Sequence, residues 1–145
     1  MTRALQIDHS LDALGASTLV NAADLGGRVL IAVIFLVAGY GKVVGYAGTL
    51  GYMHAYGVPA ALAPLAILVE LGGGALVVAG LWTRYTALAL AGFSVVTALI
   101  FHSHLADMGQ QINFMKNLAI AGGLLFLAVH GAGAWSLDAR RAEAR

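Results

Sequence analysis

Glu70 stands near the middle of residues 60–81, an otherwise apolar stretch long enough to cross a lipid bilayer. An ionised side chain at the bilayer centre costs about 2.5 to 3.5 kcal/mol on insertion scales, so this carboxylate calls for a partner, a proton or water. If Pro64 marks the entry into hydrocarbon, Glu70 lies roughly 9 Å deeper at the helical rise per residue, within reach of a lysine stem. Lys42, near one end of an earlier apolar segment, and Lys116, near the same end of a later one, are the candidate partners. Three kinds of chemistry are open to such a residue. It can form a buried ion pair that sets how the helices register, take part in ligand binding or proton exchange, or stay protonated.

The remaining polar groups suit hydrogen bonding better than metal chemistry. His102 and His104 are two positions apart, which on a helix points them in different directions, so they are not a ready-made metal pair. His130 falls near the far end of the last apolar segment, and a haem held between two histidines needs both at one depth. With no cysteine in the chain, disulfides, thiolate metal sites and iron–sulfur ligation by the chain itself are excluded. The expectation is no covalent cofactor and no metal site. Quinone asks for less, an apolar slot near the membrane surface with one or two hydrogen-bonding groups. Tyr40, Lys42, Glu70, His102, Lys116 and Asn117 are the candidate ligand or quinone-binding residues; no catalytic residue is identified.

What must position these residues is a membrane-embedded helical bundle. Of 145 residues, 60% are hydrophobic and 10% charged, and the mean hydropathy is +0.84, a balance foreign to soluble domains. A net charge of +1 gives no reason to expect nucleic acid. Four segments have the length and apolarity of spanning helices: 24–44, 60–81, 85–101 and 114–134. The expected fold is therefore all-α, an integral membrane four-helix bundle with a short interfacial helix between the first and second spans. Residues 1–23, with Arg3, Asp8, His9 and Asp12, read as a polar tail or surface helix without a signal-peptide pattern. Residues 24–138 form the transmembrane domain and 139–145 a basic tail in which Arg140, Arg141 and Arg145 meet anionic lipid.

Four spans put both termini on one side. With the termini cytoplasmic, Arg3, Arg28, Arg84, Arg140, Arg141 and Arg145 face inward and only Lys42 and Lys116 outward, a positive-inside bias. Trp82, Tyr85 and Trp135 then mark the inner boundary, and Tyr40, Tyr46, Tyr52 and Tyr56 the outer one. The stretch GYAGTLGYMHAYGVP at 45–59 supplies the interfacial helix, ended by Gly57 and Pro59. Helices in lipid associate through small residues. Gly41 with Gly45, Ala75 with Ala79, the run Gly72 to Gly74 and the pair Gly122–Gly123 are the candidate contact points, and Asp138 is expected to end the fourth helix at the surface.

Taken in order, the motifs resemble the DoxX family. Arg28 opens the first helix and Gly39, Gly41 and Lys42 close it; Gly57 and Pro59 form a Gly-x-Pro turn. Glu70 precedes a glycine cluster and Gly80-Leu81-Trp82-Thr83-Arg84; then come Phe101-His102, Lys116-Asn117-Leu118, Gly122-Gly123-Leu124, and the run Gly131 to Asp138 ending Trp-Ser-Leu-Asp. The resemblance covers about residues 28–138. It implies a four-helix inner-membrane protein of bacteria, in a family named for a subunit associated with terminal quinol oxidase and linked to quinone and oxidative-stress redox complexes. Its glutamate and lysine positions map onto Glu70, Lys42 and Lys116, and no haem or metal site maps.

Three functions remain in view. The first is an accessory subunit of a quinone-linked redox system, more a partner of an oxidoreductase than a catalyst, with any needed cofactor in a redox-complex subunit beside it. The second is a non-enzymatic scaffold or assembly factor. The third is a carrier of a small lipophilic or anionic molecule, ranked last because four short helices without internal repeats leave little room for alternating access. The glycine faces leave a homo-oligomer open.

Overall fold

The computed structural model describes residues 2–145, with side chains from Ser17 onward. Its elements are α1 (Thr2–Val44), α2 (Tyr46–Ala55), a 3-10 turn (Ala60–Leu62), α3 (Ala63–Ala79), α4 (Thr83–Phe101), α5 (Met108–His130) and α6 (Leu137–Glu143). Among the described residues, four stretches are long and apolar enough to cross a membrane: Ser17–Val44, Ala60–Ala79, Thr83–Phe101 and Met108–His130. The side chains of Arg3, Asp8, His9 and Asp12 lie outside the described residues.

Two antiparallel pairs, α1 with α3 and α4 with α5, form the most extensive contacts; α3 joins them through α4, and α1 touches α5 more lightly. The ladder follows from a seam of regular spacing. On α1, Arg28, Ala32, Phe35, Gly39 and Lys42 recur at intervals of four and three, and all but the partly exposed Lys42 are buried. Glu70, Gly74 and Val77 answer on α3, and Thr83, Ala87, Leu90, Ala91, Ser94 and Ala98 line α4. Such spacing keeps one stripe of a helix facing its neighbour over several turns. Ala32, Phe35, Val77, Ala87, Leu90, Ala91, Ala121 and Leu124 form the core. The buried Ser94 hydroxyl donates to the Leu90 carbonyl of its own helix at 2.9 Å, so a polar atom enters the seam without a partner helix having to satisfy it.

The glycines explain how closely the helices approach. A Cβ on Gly39 would stand 2.8 Å from Leu71 Cγ, one on Gly73 2.9 Å from Leu90 Cδ2, and one on Gly74 2.9 Å from Leu36 Cδ2. Consecutive glycines thus let α3 press against α4 on one side and α1 on the other. The small-residue pairs expected to form contacts behave differently. A Cβ on Gly41 would meet nothing within 4 Å, and Ala75 is exposed. Their spacing of four is right, but they fall off the stripe that runs through Gly39 and Gly74. Gly123 faces Ile31 of α1, while Gly122 faces open space.

Helix boundaries shift where capping chemistry overrides hydropathy. The helix expected over 114–134 begins at Met108, because the Asp107 side chain accepts the Gln110 N–H at 2.9 Å. It ends at His130, because Gly131 takes a positive φ of 86°. Helix α2 does form between the first two spans, and Gly57 (φ 70°) with Pro59 turns the chain from it toward α3.

Candidate functional site

Glu70 is 5% exposed on the α1-facing side of α3. Lys42 Nζ donates to its Oε1 at 2.8 Å, the only ion pair among the described residues. The pair forms because Gly39, one turn before Lys42, has no side chain: its missing Cβ would lie 3.1 Å from Glu70 Cβ. The backbones therefore come close enough for the lysine stem to reach the carboxylate. Glu70 Oε2 is buried with no hydrogen-bond partner. Lys42, whose side chain is 30% exposed, keeps a face toward its surroundings. The arrangement places a lysine donor and an unpartnered carboxyl oxygen side by side in an apolar seam.

The other predicted site residues are spread apart. Lys116, the alternative partner for Glu70, instead lines an open groove on α5 with Gln111, Ile112, Met115 and Ala119. Asn117 donates to the Asn113 carbonyl of its own helix at 2.9 Å. Tyr40 is 66% exposed. His102 Nδ1 lies 2.7 Å from Gln110 Oε1, tying the end of α4 to the start of α5. Beside it, Tyr52 of α2 stacks on Phe101 and Tyr56, just after α2, meets the same ring edge-on, with ring centroids 5.3 Å away in each case. Burial, reinforced by the neighbouring Tyr56, pushes the Tyr52 phenol up to about 12, so it stays a neutral donor.

The opposite end of the bundle holds a second polar assembly that sequence reasoning did not find. Arg28, expected to be an inner-surface charge, is 1% exposed. Its guanidinium donates to the Val78 carbonyl at 2.9 Å, to the Val77 carbonyl at 3.4 Å and to the Trp135 carbonyl. Helix α3 ends there in a left-handed Gly80 (φ 64°), against which both Arg28 and Ser136 are packed. Asp138, expected to end the fourth helix, lies in the first turn of α6 and caps α4 instead. Its carboxylate accepts the Trp82 and Thr83 N–H groups at 2.8 Å each, and its own N–H donates to the Gly80 carbonyl at 2.8 Å. Burial alone would raise the Asp138 carboxyl, but the bonds from Thr83 and Trp82 and the charge of Arg141 outweigh it and hold its pKa below the ordinary value. The one cue in the sequence is Trp82, which stands just before α4 and has no side-chain acceptor to cap it, so a distant carboxylate does that work.

Fold and polar framework together define a four-helix membrane-spanning bundle closed by an ion pair at one end and an arginine–aspartate latch at the other. The signature of the DoxX family matches residues 23–103, and the chain belongs to that family. It is 51% identical over 120 residues to the inner membrane protein YqjF of Escherichia coli (strain K12), an overlap of 83% of this chain and 92% of that protein. It is also 38% identical over 121 residues to the inner membrane protein YphA of the same organism, covering 78% of this chain and 86% of that one. No solved structure gives a significant match.

Proposed function

We propose that this protein is an inner-membrane accessory subunit of a quinone-linked redox system, working beside an oxidoreductase that carries the electron-transfer groups. The Lys42–Glu70 pair carries this reading. A lysine N–H suits a quinone carbonyl and a vacant carboxylate oxygen suits a quinol hydroxyl, and both occur here in an apolar seam with Lys42 still partly exposed. The resemblance to a quinol-oxidase-associated family supports the redox context. The names of the two Escherichia coli relatives support the inner membrane. Arg84, Arg140 and Arg141 lie at the bundle end opposite Lys42 and Lys116, which favours cytoplasmic termini.

A second reading, a non-enzymatic scaffold, is favoured by the same pair seen as a closed 2.8 Å bridge that registers α1 against α3. Quinone titration of the purified protein in nanodiscs, with native co-purification, separates the two. Saturable binding that Glu70→Gln abolishes supports the redox subunit. Absent binding, with only a lowered melting temperature in the variant, supports the scaffold.

A further inference from the structure

The end of the bundle opposite the ion pair carries a cavity of about 370 Å³ between the start of α4, the end of α5 and α6. Arg84, Tyr85, His130, Gly131, Gly133 and Asp138 are among the residues that line it. Arg84 is exposed and, among the described residues, has no hydrogen bond or ion pair. Its guanidinium lies against Gly131, where a Cβ would stand 3.6 Å from Nη2. The carboxylate in the lining is already engaged: both Asp138 oxygens accept backbone N–H groups of α4. At the rim, Arg141 stacks over Trp82 with its Cζ 5.7 Å from the ring centroid, adding a second cation. His130 is held by the Phe126 carbonyl through Nδ1 at 2.9 Å, which leaves its other ring nitrogen for an outside partner.

The geometry points to a binding site for the phosphate of an anionic phospholipid headgroup, with Arg84 as its principal contact. A guanidinium presents parallel N–H groups that match phosphate oxygens. The position decides between a lipid and a soluble anion. The cavity opens where two membrane-length helices end, and exposed Trp82 and Tyr85 line it, the aromatic setting of the headgroup layer. Basic recesses between helices at that depth are suited to anionic headgroups.

Native mass spectrometry of the full chain released from nanodiscs of mixed phosphatidylglycerol and phosphatidylcholine tests this. Wild type is expected to retain phosphatidylglycerol over phosphatidylcholine. Arg84→Gln lowers that retention about fivefold, while Arg84→Lys, which keeps the charge but not the fork, recovers only part of it and Arg140→Gln lowers it less. Equal retention of the two lipids, or undiminished phosphatidylglycerol on a folded Arg84→Gln protein, overturns the site. Stripping of the lipid by excess inorganic phosphate overturns the lipid assignment in favour of a soluble anion.

Discussion

The two ends of the α1 seam solve the same problem, a charge inside an apolar bundle, in different ways. Lys42 and Arg28 are fourteen residues apart on one stripe, roughly 21 Å along the helix. At the Lys42 end the charge meets a side chain, and the contact joins α1 to α3 alone. At the Arg28 end the charge meets backbone carbonyls of α3 and of the segment before α6, while Asp138 ties α6 to α4 and to Gly80. The first bridge leaves a carboxylate oxygen vacant; the second gathers loose helix ends into one latch. A side-chain pair can exchange partners or accept a ligand, whereas carbonyls freed at a helix terminus can only be capped. The latch thus caps helix ends, whereas the pair leaves one side-chain acceptor without a partner.

The sharpest way to break that comparison is to remove both charges in turn. Arg28→Met strands the Val77, Val78 and Trp135 carbonyls, and we expect a loss of about 3 kcal/mol in thermal unfolding in mild detergent. Lys42→Met leaves the buried Glu70 uncompensated, at about 2.5 to 3.5 kcal/mol on insertion scales. Glu70→Gln still accepts the Lys42 N–H and is expected to lose about 1 kcal/mol. Replacing both partners by apolar residues restores most of the stability while ending any ligand binding at the pair. If Arg28→Met unfolds at the same temperature as wild type, the latch is not the stabilising end.

Between the two ends lies the glycine run, where neighbouring positions give opposite outcomes. Gly74→Ala and Gly73→Ala drive a methyl into Leu36 and Leu90 and are expected to destabilise by about 1 to 3 kcal/mol. Gly72→Ala meets only Leu68 Cδ1 at 3.8 Å, an ordinary contact, and is expected to stabilise by up to about 1 kcal/mol through helix propensity. Melting temperatures of the three single variants check this, and a stabilised Gly74→Ala would refute the close approach of α1.

The smallest effect concerns acid. The folded pKa of Asp138 is held below its ordinary value, so the stability it contributes is present above the unfolded carboxylate range and is lost as pH falls through the folded pKa. Unfolding temperatures followed from neutral pH downward should show an acid-side decline that is shallower in Asp138→Asn. Identical slopes would remove Asp138 from the latch.

Much of the fold was legible because hydropathy and length reflect the bilayer. The four spans, the turn at Gly57 and Pro59, and a lysine partner for Glu70 were all in the residue pattern. The choice of Lys42 over Lys116 was not, because both sit near the same end of their helices. It turns on Gly39 opening a close approach for α1 that Lys116, on the exposed side of α5, does not have. The latch was hidden for a related reason. Arg28 reads as one more inner-surface cation until the carbonyls of Val77, Val78 and Trp135 are seen around it. Gly41 and Ala75 misled because spacing of four marks a helix face without saying which face is buried.

By itself the sequence determined that the chain is a four-span helical bundle with an isolated carboxylate at membrane depth, since the transfer energies of apolar runs and of a lone Glu do not depend on what packs beside them. Only the tertiary structure decided which lysine meets Glu70, which glycines carry the contacts, and that Arg28 and Asp138 lock distant helix ends together. Those outcomes depend on the rotation of each helix about its axis and on free backbone groups brought near from 50 or more residues away, information that no local spacing contains.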